Sequence, residues 1–416
     1  MSDHDRLTEA LHRRADRLDA ELGTAHPISL DDVRQRAGGI RRRRAAVSGL
    51  AAAAVLAVAV PVGLSMTDRT GGDVDRGPAA TTTADPTGTP STDATGSPLP
   101  DATRKVLLTN RVDATSGAPG IPYLRDDTLV TPDGGEVPLA AGYGSFAALD
   151  DGWVALDMGT GQVDVLDADG EVTSSQPGTW PLAVSADGSV VAWPTDDGRL
   201  IVSTERNPAK EVGRWPGRRA EPVAVVGAGV CVEESRSGGC PVFLTVTDEQ
   251  GAMEALTMTW NGVEEGLPAL QSVESVSPDG LVAGFTSTSD DGSCSAVIDD
   301  RGAEVWDTCD HSLGRFSPDG SLVIGHPADR DGIGDSSVAV LDAATGEALV
   351  EYQNDLETQA FINDVAWDTD GTLLATVYER GSWSVMRMTP DGQLSEVLGE
   401  IGTDEMEVPV RFATQP

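Results

Sequence analysis

"RFSPDGSLVIGH", Arg315–His326, reads as strand, turn and strand. Pro318 sets φ for the second turn position, Asp319 bonds the backbone beyond it, and Gly320 takes the positive-φ exit. Phe316 ends one strand, and the β-branched run after the turn starts the next. Nearly the same words recur as "AVSADGSVVAW" from Ala183, "SVSPDGLVAGF" from Ser275 and "AWDTDGTLLATV" from Ala366. Each copy predicts a hairpin.

A second, Asp- and Gly-rich corner follows each hairpin. It is written "VTPDGG" from Val130, "VLDADGE" from Val165, "VSTERNP" from Val202, "VTDEQGA" from Val246, "VIDDRGA" from Val297, "VLDAATGE" from Val340 and "MTPDGQ" from Met388. These seven starts lie 35 to 51 residues apart. Two hairpin turns per period mean four strands per unit, which predicts an all-β, seven-bladed β-propeller; six or eight blades are also compatible with the spacing. No 3.6-residue period supports a helical solenoid. The first unit lacks an innermost strand, and "VPVRF", Val408–Phe412, is written like one. The expectation is that it closes the ring against the first unit and leaves no free edge.

These hairpins resemble those of bacterial TolB-like and WD-repeat-like propellers. The resemblance covers roughly residues 105–412, and the Trp-Asp pair of WD repeats is present as Trp306-Asp307 and Trp367-Asp368. It implies the fold and a surface suited to binding, and it names no ligand.

The chain before the propeller is organised differently. Residues 45–66, "AAVSGLAAAAVLAVAVPVGLSM", carry no charge, and as a helix rising about 1.5 Å per residue they span a bilayer core. Pro61 lies near the outer end, where a kink is tolerated. Arg41, Arg42, Arg43 and Arg44 stand directly before the span, so residues 1–44 are expected inside the cell and the propeller outside it. A cleaved signal peptide is the alternative; the long leader and the lack of a small-x-small site favour an uncleaved anchor. Within residues 1–44, Leu7, Leu11, Leu18 and Leu22 share a helical face, and Ser29 with Asp32 suggests a cap. Residues 67–104 are rich in Thr, Pro, Gly and Asp without apolar period, the composition of a linker. The propeller is expected over residues 105–416.

Charge narrows the partners. The net charge is −38, and residues 1–44 hold ten Arg against eight acids, so the excess of acid lies beyond them. Such a surface repels nucleic acid. One basic stretch breaks the field: Arg206, Lys210, Arg214, Arg218 and Arg219 surround Trp215. It reads as a solvated loop or as a contact for an anionic partner.

All four cysteines fall in the propeller. Cys231 and Cys240 flank a hairpin corner, and Cys294 and Cys309 flank "SAVIDDRGAEVWDT" with its turn near the midpoint. Each pair is therefore expected to meet across neighbouring strands as a disulfide, with four free thiols as the alternative. No CxxC occurs, which argues against zinc. Asp329, Asp331 and Asp335, with the Ile333 carbonyl, match the later part of a calcium loop. Its first ligand position is Pro327, without a side-chain oxygen, so the competing reading is an acidic loop. Calcium is the one cofactor the residues suggest. There is no GxSxG, the Asp-box register of "SADGSVVAW" is broken by Gly188, and His311 and His326 are the sole histidines beyond residue 44.

Together these features predict a membrane-anchored binding or scaffolding propeller for an envelope partner or ligand, without nucleic acid. One alternative is a propeller hydrolase or lyase outside the cell. Another is a transmembrane sensor signalling through residues 1–44.

Overall fold

Among the described residues, the Asp-Gly turn words of the sequence become hydrogen-bonded turns in the computed structural model. In "SPDG" the Gly320 amide donates to the Ser317 carbonyl (2.8 Å), and the Ser317 hydroxyl both donates to Asp319 (2.6 Å) and accepts from the Leu322 amide (3.0 Å). Gly320 has φ +74°, which a side chain disfavours. A Cβ there would also stand 3.2 Å from Pro278 Cδ in the matching turn of the preceding blade. The repeated word thus serves packing between blades as well as chain reversal.

The structure describes residues 103–416 except 113, 141, 205–208, 228–230, 232–238, 290–291, 330–333 and 355–359. Residues 1–44 with Arg41–Arg44, the expected span 45–66, most of the expected linker, Arg206, Asp331 and Ile333 lie outside the described residues. Among those described, no helix is long and apolar enough to cross a membrane.

Seven antiparallel sheets of four strands form the blades, one of them with a fifth strand added. The innermost strands are Val410–Phe412, Ser145–Leu149, Ala183–Val184, Arg219–Val225, Ser275–Val276, His311–Phe316 and Phe361–Trp367. The chain is an all-β seven-bladed propeller, with no helix among the described residues. Trp193, Trp367, Trp383 and Tyr352 are the largest fully buried side chains. Tyr352 meets its polar need by donating to the Thr389 (2.7 Å) and Gln393 (2.9 Å) carbonyls.

The expected closure is formed. Tyr123, Leu124 and Arg125 pair with Phe412, Arg411 and Val410, so the last strand is the innermost strand of the first blade. It starts at Val410, two residues later than the sequence suggested.

Two features depart from the sequence reading. In the fourth unit, "VTDEQGA" joins Val242–Thr247 to Met253–Met258, the second strand to the third. The third-to-fourth turn there is Thr259–Val263, with Gly262 at φ +75°. An Asp-Gly corner has the same chemistry at either end of a blade, so the word alone does not tell which end it occupies. The second departure is an outer strand. Arg104–Leu108 pairs in parallel with Ala348–Asn354 and becomes the fifth strand of the sixth blade. The chain then crosses the seventh blade as a strap. Glu379, 2% exposed, accepts from the Asn110 amide (2.7 Å) and the Thr109 hydroxyl (2.9 Å). Thr115 bridges Glu396, Arg387 donates to the Gly117 and Ala118 carbonyls, and the Gly120 amide donates to Asp368 (2.9 Å).

Candidate functional site

In a four-stranded antiparallel blade, the first-to-second and third-to-fourth turns share one end. The first turns of six blades, with the segments flanking Val410–Phe412 and Tyr123–Arg125 in the first blade, therefore gather around one mouth of the ring. That mouth is a cavity of about 510 Å³ lined mainly by small or apolar residues from all seven blades, among them Ala148, Ala224, Val226, Val276, Phe316 and Trp367. Pro278 and Pro318 of the "SPDG" turns stand on its rim. The segment after the closing strand, Ala413–Pro416, helps line it. The Thr414 amide donates to the Phe146 carbonyl (2.7 Å), and the Trp367 amide donates to Gln415 Oε1 (2.9 Å) while Gln415 Nε2 donates back to the Trp367 carbonyl. An apolar concavity of this size with a few fixed polar groups has the character of a ligand site.

One cysteine pair borders this mouth. Cys231 and Cys240 stand at disulfide distance, 2.10 Å between sulfurs and 5.3 Å between Cα atoms, in the long loop that replaces the first turn of the fourth blade. A Cβ on Gly227, which lines the cavity, would lie 3.4 Å from the Cys240 sulfur. Cys294 and Cys309 also stand at disulfide distance, with Cα atoms 4.1 Å apart, at adjacent strands of the fifth blade. No free cysteine is found among the described residues.

The acidic loop is drawn inward. Asp335, 3% exposed, bonds His326 Nδ1 at 2.7 Å, and its backbone pairs with Ile362. Asn354 Nδ2 donates to the Asp335 carbonyl (3.1 Å) and the Ala360 carbonyl (3.0 Å). The Asp335 carboxylate is thus turned onto a histidine, while Asp329 is exposed on the preceding turn. No group of three metal-ligating side chains comes together among the described residues. His326 has the carboxylate that would orient a catalytic base, and among the described residues no hydroxyl nucleophile bonds its ring. His311 packs against Gly325, where a Cβ would come within 3.1 Å of its ring.

The basic side chains of this stretch among the described residues have partners within the fold. Lys210 donates to the Trp260 carbonyl (3.1 Å) and sits 4.9 Å from the centre of that indole. Arg214 bonds Glu211 through two nitrogens, Arg218 pairs with Glu254 (3.0 Å), and Arg219 pairs with Glu221 (2.8 Å) beneath Trp180. Trp215 is buried and donates to Glu264 (3.1 Å). Lys210 and Trp215 thereby link the third blade to the fourth.

Two residues of the channel wall carried no motif. Arg315, the first residue of the opening stretch, and Asp364 stand in adjacent innermost strands. The available signal was a charge inside an apolar strand next to a turn word. Turn residues and strand apolars were legible because they repeat; these two occur once each.

No protein-family model matches the chain, and no curated protein matches its sequence. Among solved structures, the β-propeller domain of Cps50 (Swd1) from Myceliophteria thermophila is similar at 12% identity and a TM-score of 0.46, over 62% of this chain and 87% of that one. A eukaryotic initiation factor is similar at 11% identity and a TM-score of 0.35, over 68% of this chain and 96% of that one. At such identities a likeness concerns fold alone; the seven blades rest on the strand pairing itself.

Proposed function

We propose that this propeller is a binding or scaffolding module, held outside the cell by residues 45–66, and that the mouth framed by its first turns is the recognition face. The observation that carries the reading is the 510 Å³ apolar mouth to which every blade contributes. A ring fold offers such a face without demanding chemistry from it. The Cys231–Cys240 pair, beside the mouth, suits an oxidising compartment and agrees with the orientation set by Arg41–Arg44.

Val226 is the residue to change, because it lines the mouth and is 37% exposed, so a charge there spares the core. Tagged full-length chain and its Val226→Asp variant are used to capture partners from envelope extract. The parent retains a partner that the variant loses; identical captures from both reject the mouth as the recognition face. A reporter fused after Asp68 tests orientation, and activity confined to the cytoplasm rejects the external location.

A further inference from the structure

The mouth and its rim differ in charge. Among the described residues, no charged side chain lines the mouth. Five of the first turns that frame it, residues 148–152, 185–189, 277–281, 317–321 and 368–372, contain aspartates and neither Lys nor Arg. Six of these aspartates are exposed: Asp150, Asp151, Asp187, Asp279, Asp319 and Asp370. The seventh, Asp368, is buried and paired with Arg387.

Acid and apolar surface meet between the second and third blades. A groove of about 360 Å³ there is lined by Asp150 and Asp187, and it shares Ala148, Ala186, Thr414 and Pro416 with the mouth, so the two are continuous. The two first turns touch: a Cβ on Gly188 would stand 3.2 Å from the Ala148 carbonyl oxygen and 3.6 Å from the Asp150 nitrogen. Asp187 accepts through Oδ1 from the Ser185 hydroxyl (2.7 Å), the Ser189 hydroxyl (2.6 Å) and the Ser189 amide (3.1 Å), which leaves Oδ2 without a hydrogen bond among the described residues. Desolvation opposes ionisation of this carboxyl, but the Ser189 and Ser185 hydroxyls outweigh it and hold the group below its ordinary value. Asp187 is therefore a charged lining. The Asp150 side chain has no hydrogen bond, and neither aspartate has an ion pair, among the described residues.

An uncharged mouth that opens into a groove with two unpaired carboxylates fits an apolar group joined to a cationic one. Acid spread over the turns of five blades extends beyond the reach of one small cation. A second copy of the chain would set the same acid rim against itself. A peptide segment answers both features. We propose that the mouth docks a basic, apolar segment of a partner protein, an apolar side chain entering the mouth and a Lys or Arg side chain lying in the groove between Asp150 and Asp187. This rests on the mouth being a recognition face, and adds the partner's chemistry.

The test uses the full chain in micelles of an uncharged detergent and the fluorescence anisotropy of a labelled peptide of alternating Arg and Leu. Peptides of alternating Glu and Leu, Arg and Ser, and Ser and Leu control for the sign of the charge, the apolar part and the charge itself. The Arg-Leu peptide is expected to bind at least about tenfold tighter than any control, and more weakly as salt rises. Asp150→Lys, which replaces an attraction by a repulsion at an exposed side chain, is expected to reduce that affinity at least about threefold. Glu249→Lys makes the same change of charge in the second-to-third turn of the fourth blade, at the opposite end of the ring, and should leave binding unchanged. Absence of Arg-Leu binding, equal binding of any control, an Asp150→Lys chain that binds normally, or an equal loss in Glu249→Lys each overturns the inference. So does a chain that sediments as a dimer parted by Val226→Asp, which assigns the mouth to a second copy. If circular dichroism shows that Asp150→Lys does not fold, Asp150→Asn takes its place and must weaken the peptide at low salt. Loss of partner capture in Val226→Asp without any Arg-Leu binding leaves the proposed function standing and removes this inference alone.

Discussion

The ring is closed twice, by segments from opposite ends of the described chain, and the two closures work differently. The inner one is a strand of three residues, Val410–Phe412, paired with Tyr123–Arg125. Val410 is fully buried and Phe412 nearly so, and their alternation with exposed Arg411 gives the period of two that a half-buried strand needs. The outer one, from Arg104 to Gly120, lies on the rim of the sixth and seventh blades. Its strand is mostly exposed, and its hold depends on the buried carboxylates Glu379 and Asp368. One closure works by apolar burial and ladder bonds, the other by charge-assisted hydrogen bonds to a passing backbone. A strap held by few buried charges is sensitive to single substitutions, whereas a strand held by many small contacts must be removed whole.

Four experiments test that contrast. Deleting residues 404–416 should have the largest effect. It removes the innermost strand of the first blade and exposes the edge of Tyr123–Arg125, so the expected outcome is aggregation or loss of protease resistance. A truncated chain as stable as the parent breaks the inner closure.

Asp368→Ala comes next. Asp368 is buried, accepts the Gly120 amide and pairs with Arg387, whose other donors hold the Gly117 and Ala118 carbonyls. Removing it strands a largely buried guanidinium, at a cost of about 3–5 kcal/mol. Urea unfolding measures this, and a loss under about 1 kcal/mol would show that the strap contributes little.

Replacing Cys294 and Cys309 together by Ser should cost less, about 3 kcal/mol for a loop of 15 residues, and leave a folded ring. That change lies within one blade and touches neither closure. Non-reducing peptide mapping should link Cys231 to Cys240 and Cys294 to Cys309; crossed pairs reject the assignment.

The smallest effect concerns pH. Asp364 accepts the Phe412 amide of the inner closing strand, and burial raises its carboxyl above the ordinary value against the pull of Arg315. Its stabilising contribution is therefore complete below the ordinary carboxyl range, about pH 4, and is lost as pH rises through its own raised value. Asp319 in the opening turn behaves in the reverse sense. The Ser317 hydroxyl, then the Ser321 amide and hydroxyl, hold its carboxyl low, so its contribution is present above the ordinary range and lost as pH falls through the depressed value. Asp364→Asn should raise Tm by a degree or two, roughly, near pH 7 and leave it unchanged near pH 3. Asp319→Asn should lower Tm near pH 7 and narrow the gap in acid. The same shift for both variants at both pH values would deny that burial, rather than residue type, sets these carboxyls apart.

The difference between the closures also marks how far the amino-acid sequence reaches. Turn words, the period of 35 to 51 residues, four-strand units, the inner closing strand and the pairing partner of each cysteine were legible before any coordinates. Each depends on chemistry within a few residues: Pro and Gly at set φ, Asp bonding the amides just beyond it, and apolar alternation along one strand. Tertiary structure alone decided four things. It decided that "VTDEQGA" joins the second strand of its blade to the third, and that Arg104–Leu108 lies on Ala348–Asn354. It turned Asp335 onto His326 and away from the acidic loop that suggested calcium, and it brought Arg315 and Asp364 of neighbouring blades within electrostatic reach of each other. These choices set side chains or strands against partners that no repeat or turn word specifies, and partner choice is governed by the low-dielectric, close-packed interior that exists only once the ring is complete.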